Sequence, residues 1–179
     1  MALITALLIL VVIALLAVSM TRSVALQDKI AGNTLEKQRS LQAAQTALQY
    51  GEWWLGQGNG TTGVSCSGVG NANVSSTLKV CPVNTAPTTS STLPWTTRWD
   101  YTPPSMTAVA GGGTTTTGVV GDVNYAALPS LYINYIGVNG SKTLYQVTAV
   151  GYGGSTSTAS VVQSVYALTA KTVDLGGGP

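Results

Sequence analysis

From Ala2 to Val18 the chain reads ALITALLILVVIALLAV, with Thr5 as the one polar side chain. Continued to Met20, the run is about 20 residues and about 30 Å as a helix, enough to cross the hydrocarbon core of a bilayer. A cleavable secretory signal opens on a basic region and closes on small residues ahead of a polar chain. Here the first cation, Arg22, follows the apolar run. An uncleaved anchor keeps its basic residues on the cytoplasmic side. The expectation is therefore a basic leader removed directly in front of Met1, cut on the cytoplasmic side so that the apolar helix is retained.

The helix is expected to continue well past the membrane, because no proline interrupts residues 1–55. Leu26 and Ile30 are four apart, and Leu41, Ala44, Leu48 and Leu55 return to one face. Glu36, Lys37, Arg39 and Gln42 supply a polar side. Gly32 weakens the middle by about 1 kcal/mol relative to alanine, which makes it the place for a bend. Gly56 and Gly58 supply a stop. About 55 residues of helix would measure roughly 80 Å, more than a small domain needs for its own core. The N-terminal half must pack on something else: lipid first, sister subunits later. Trp53 and Trp54 lie too far from the apolar segment for an interfacial aromatic belt and are expected against a sheet.

The 179 residues leave room for one globular domain beside this element. With 8% charged residues, a net charge of +2 and no histidine, the chain lacks the clustered basic face that nucleic-acid binding needs. The part beyond the helix is rich in Thr, Ser, Gly and Val and holds both cysteines, Cys66 and Cys81. Two cysteines without histidine do not make a zinc site unaided. In an exported domain they are expected to form a disulfide, with two buried free thiols as the alternative. Closing such a loop is worth roughly 3 kcal/mol in the chain-entropy model.

Gln57 to Thr117 shows little periodicity, and GQGNGTTG, NTAPTTSST, TPPS and GGGTTTT read as loops, with one strand around Trp95 to Tyr101. Asn59, Asn73 and Asn139 open Asn-x-Ser/Thr triplets, which arise often by chance in this composition. Leu131 to Val138 alternates, Asn139-Gly140 is a hairpin signal, and Leu144 to Val150 returns. Gly151 to Gly154 and a Ser/Thr turn follow, then a third strand over Ala159 to Leu168. The fold class is α+β. Its expected divisions are a membrane and assembly segment 1–21, a helical continuation 22–56, a loop region 57–118 with the disulfide, an antiparallel sheet 119–168, and a tail 169–179.

Catalytic chemistry has little to work with. Without histidine no Ser-His or Cys-His nucleophile exists. There is no CxxCH haem motif, and the glycine runs lack the lysine or helix of a phosphate loop. The acids are Asp28, Glu36, Glu52, Asp100, Asp122 and Asp174. Asp122-Val-Asn124 resembles the start of a calcium loop but lacks the further acids such a loop needs. No catalytic residue, metal or cofactor is expected.

The stretch from Ala2 to Leu48, including QDKIAGN (Gln27 to Asn33) and QAAQTAL (Gln42 to Leu48), resembles the N-terminal region of PilX-like minor pilins of type IV pili. YQVTAVGYGG followed by VVQSVY is similar to the C-terminal end of the same family. The resemblance implies a type IV pilin fold, a long N-terminal α-helix packed on a C-terminal antiparallel sheet with long loops. It implies Met1 as the first mature residue, N-methylated after cleavage. Ala2, Leu3, Ile4, Thr5, Leu7, Leu8 and Ile9 would carry assembly, with Cys66 and Cys81 stabilising the head. The partners implied are the inner membrane, other pilin subunits through helix–helix packing, and a tip adhesin. The N-terminus would face the cytoplasm and the head the periplasm, before export into an extracellular pilus. Thr5 departs from the pattern of major pilins, which carry glutamate at the fifth mature position to neutralise a neighbour's N-terminal amine. An unpaired buried charge is costly, so its loss disfavours repeated addition and points to a minor, priming or tip subunit. The alternatives are the major subunit of a pilus-like filament, a pseudopilin of type II secretion, and a membrane-anchored periplasmic scaffold that never polymerises.

Overall fold

The computed structural model describes residues 2–82, 93–104, 106–108, 114–115 and 124–169. It divides into two compact units, Met1–Glu36 and Lys37–Pro179. One helix, α1 (Ala2–Trp54), supplies the first unit and enters the second. Alanine and leucine favour this conformation, and the two interior glycines, Gly32 and Gly51, each cost too little to break it. The helix accordingly runs through Gly32 without interruption, so the expected weak point is not a break. It closes in a π turn, Leu55–Asn59, where Gly58 takes φ 87°, a conformation that suits glycine. Asn59 Nδ2 donates to the Trp54 carbonyl at 2.9 Å and so satisfies one acceptor of the last turn.

In the second unit, three long strands form the body of the main sheet. They are β7 (Ser130–Asn139), β8 (Lys142–Tyr152) and β9 (Ala159–Thr169), paired antiparallel in chain order. Asn139 pairs with Lys142, so the β7–β8 turn is Gly140-Ser141, one residue beyond the signal read from the sequence. Gly140 stands there at φ 60°. The register slips between Tyr135 and Gly137, a bulge that bends β7 toward its exposed end. Gly151 and Tyr152 extend β8 rather than forming a turn.

The region expected to be loop, with one strand around Trp95 to Tyr101, contributes three short strands to this sheet. These are β1 (Val69–Asn71), β2 (Val80–Cys81) and β3 (Arg98–Asp100), of which β3 lies within that expected strand. The sheet runs β1-β3-β7-β8-β9, with β2 also on β7. β3 joins β7 antiparallel, but β1 pairs β3 in parallel and β2 pairs β7 in parallel, so the expectation of an antiparallel sheet holds for the long strands and β3 but not for β1 and β2. Segments of two or three residues carry no periodicity; neighbours select their pairing. A second, small sheet joins β4 (Thr107–Ala108), β5 (Thr114–Thr115) and β6 (Asn124–Tyr125).

The core lies between residues 37–55 and the sheet. Leu55, Leu131, Tyr132, Ile133, Val147 and Val150 are fully buried in it, beside Trp54, Trp95 and Trp99. Trp54 is 4% exposed, as expected, but Trp53 is 57% exposed and packs instead as a surface neighbour of Tyr50, ring centroids 5.5 Å apart. Adjacent helical residues point about 100° apart, so one face cannot bury both. The disulfide joins Cys66 to Cys81 across 15 positions, with Cα atoms 5.6 Å apart. It ties the chain just after the π turn to β2, where Val64 N also donates to Val80 O at 2.8 Å. Asp122, the run Gly111 to Gly113, NTAPTTSST and the tail 170–179 lie outside the described residues.

Candidate assembly surface

The first unit is a single stretch of helix, and its apolar side chains point in every direction. Ala2, Leu3, Ile4, Thr5, Leu7, Leu8 and Ile9 occupy about two turns, which covers the whole circumference at 3.6 residues per turn. All are exposed, Leu3 by 80%. A helix apolar all round requires an apolar surrounding on all sides. The segment is long and apolar enough to cross a membrane. Thr5 Oγ1 donates to the Ala2 carbonyl at 2.9 Å, so its hydroxyl is satisfied within the helix. Met1 lies outside the described residues.

The second unit shows how a head can be held on the same helix. Ser40, Ala43, Ala44, Ala47 and Gly51 form its buried stripe. A β-carbon at Gly51 would meet Val147 Cγ1 at 2.9 Å, and one at Gly151 would meet the helix backbone itself. Small residues on helix and sheet therefore let the two backbones approach closely. Polar contacts fix the register along this line. Ser40 and Ser160 hydroxyls hydrogen-bond at 2.6 Å in a buried setting, and Ser164 Oγ donates to Glu52 Oε1 at 2.6 Å. Lys37 Nζ donates to the Ala159 carbonyl. Of the face expected from the sequence, Ala44 and Leu55 are buried but Leu41 is 40% exposed, and Ser40, Ala43, Ala47 and Gly51 were missed because the pattern followed leucines. The available signal was the small-residue spacing 40, 44, 47, 51.

On the other side of the helix end, Tyr50 stacks on Tyr101 with ring centroids 4.3 Å apart, and its hydroxyl donates to the Ala72 carbonyl at 2.8 Å. Burial raises both phenol pKa values above the ordinary 10.0, and the neighbouring Tyr101 raises Tyr50 further. Among the described residues no three acids or cysteines stand together as metal ligands. The arrangement is one of packing and register.

Residues 1–49 match the family model described as PilX N-terminal, and residues 77–168 match the model described as type IV pilus assembly protein PilX C-term. The chain belongs to the PilX family. No curated protein and no solved structure matches it. As a PilX family member the chain is a component of type IV pilus assembly and works with other pilus components. The PilX N-terminal match covers the exposed apolar helix and the small-residue stripe as far as Ala47. The PilX C-terminal match covers Cys81 and all three long strands. Between the two matches lie Trp54, the π turn and Cys66 of this PilX chain.

Proposed function

We propose that the chain is a minor subunit of a type IV pilus, placed at its priming or tip end. Its apolar helix waits in the inner membrane, N-terminus inward and head in the periplasm, and then enters a bundle of sister helices. The transfer costs little, since lipid and neighbouring helices are similarly apolar.

The observation that carries the minor role is the charge pattern of the helix. No side chain from Ala2 to Met20 is ionisable, and the first acid is Asp28. The major pilins that this chain resembles place a carboxylate inside the apolar segment to pair with a neighbour's amine. Thr5 offers only a hydroxyl, which is engaged with Ala2 O. A subunit added repeatedly would leave that amine unpaired each time, at the cost of a buried charge.

Copy number tests this reading. Quantitative mass spectrometry of sheared fibres should find the chain at a small fraction of the most abundant subunit. Equal or greater abundance would make it the repeating subunit instead.

A further inference from the structure

The sequence contains two Asn-Gly steps, Asn59-Gly60 and Asn139-Gly140. Such a step carries its own electrophile and nucleophile. These are the asparagine carboxamide carbon and the next backbone nitrogen, which a glycine leaves unshielded by any β-carbon. The structure treats the two steps differently. At the end of the π turn, Asn59 Nδ2 donates to the Trp54 carbonyl at 2.9 Å, which holds the carboxamide in place. The Gly60 backbone lies against the sheet, where a β-carbon would stand 2.5 Å from Tyr145 Oη. Asn139 instead ends β7 and pairs with Lys142, so Gly140 and Ser141 make a two-residue turn. Residues 138–142 are all exposed. The Asn139 carboxamide makes no hydrogen bond among the described residues. Ladder bonds of such a hairpin run between the flanking residues, which leaves the Gly140 N–H outside them. Nothing stands within 4 Å of a β-carbon placed at Gly140.

We propose that Asn139-Gly140 is a self-modification site, at which the folded head slowly converts an amide into a carboxylate. The Gly140 nitrogen attacks Asn139 Cγ, the new N–Cγ bond closes a cyclic imide, and the Cγ–Nδ2 bond breaks. Nδ2 leaves as ammonia, taking the proton that the Gly140 nitrogen gives up. Water then opens the imide. Cleavage at Cγ leaves aspartate; cleavage at the main-chain carbonyl of Asn139 leaves isoaspartate, with the backbone routed through the side chain. Nothing is oxidised or reduced. Ring closure requires Asn139 to leave its extended backbone, and the last pair of a hairpin is where local opening costs least. The product sets a negative charge directly opposite Lys142, its cross-strand partner. On a subunit held in a fibre, that charge accumulates with age. Asn139 also opens an Asn-x-Ser triplet ending at Ser141. Sugar attachment there needs an enzyme and a sugar donor, whereas the imide route needs only water. The conversion is independent of the subunit's copy number.

The test incubates the full chain in detergent at mildly alkaline pH, folded and in denaturant, and scores its proteolytic peptides for aspartate and isoaspartate over time. The denatured chain gives the intrinsic rate of each step. Folding should slow Asn59 by at least about ten-fold more than Asn139, a difference of about 1.4 kcal/mol in barrier and the order of one hydrogen bond. Asn139→Gln, a change at an exposed position, should abolish the isoaspartate of that peptide and leave the unfolding midpoint of the head in place. Equal slowing of the two steps, or an Asn139 that stays intact in the folded chain while converting in denaturant, overturns the proposal. So does a natural chain from sheared fibres that carries a sugar on Asn139, which would give the residue to a different modification.

Discussion

Gly151 on β8 lies so close to α1 that a β-carbon there would stand 2.3 Å from the backbone nitrogen of Ala44. The Ser40 carbonyl oxygen would be equally near, at 2.3 Å. Neither is the movable end of a side chain, so helix and sheet must separate to admit even a methyl group. Gly151→Ala is predicted to destabilise the head by about 1–3 kcal/mol, the usual cost of overpacking. The thermal unfolding midpoint of the full chain in detergent should fall accordingly. A midpoint equal to that of the natural chain would show that the helix is not seated on this strand.

Gly32 is the contrasting case. Nothing stands within 4 Å of a β-carbon placed there, and the residue sits inside a continuous helix. Gly32→Ala should raise local helix stability by about 0.5–1 kcal/mol. Amide exchange of residues around position 32 should slow while the unfolding midpoint of the head stays fixed. Faster exchange there would mean that the glycine serves a bend.

Reduction of the Cys66–Cys81 bond releases a loop with a sequence separation of 15. The chain-entropy model assigns such a loop roughly 3 kcal/mol. Denaturant unfolding with and without a thiol reductant should show that loss as a lower midpoint. The Cys66→Ser, Cys81→Ser double variant should show at least the same loss. Cys81 is fully buried, so its serine also carries a desolvation cost and the variant should be slightly weaker.

Alkaline pH is predicted to weaken the head. Burial raises the phenols of Tyr50, Tyr101, Tyr145 and Tyr152 above the ordinary value of 10.0. The folded state then holds these protons more tightly than the unfolded state. Their contribution is complete below the unfolded pKa and is lost as pH rises through the folded values. Denaturant midpoints should be level from about pH 7 to 9 and decline above about pH 10. The phenolate absorbance of the folded protein should lag that of the unfolded chain over the same window.

Much of this architecture was written locally. The apolar run predicts its own helix, and alternation over Leu131 to Val138 and Leu144 to Val150 predicts two strands, because both signals repeat every few residues. The buried stripe of Ser40, Ala44, Ala47 and Gly51 was harder to read. Small residues announce a close approach only once the opposing surface is known, and here that surface is Gly151, about a hundred positions away. The parallel partners of β1 and β2 were illegible for a related reason: Val69–Asn71 and Val80–Cys81 are too short to carry a period.

The central claim is that the apolar helix serves first in the membrane and then in a fibre. Cell fractionation of the natural chain and of Leu8→Arg tests it most directly. An arginine near the middle of a membrane span costs about 2.5–3.5 kcal/mol. The natural chain should resist carbonate extraction from the inner membrane and also appear in immunogold-labelled sheared fibres. Leu8→Arg should be depleted from both fractions. Recovery of the natural chain as a detergent-free soluble monomer, or fibres that hold Leu8→Arg at the natural level, would contradict the account.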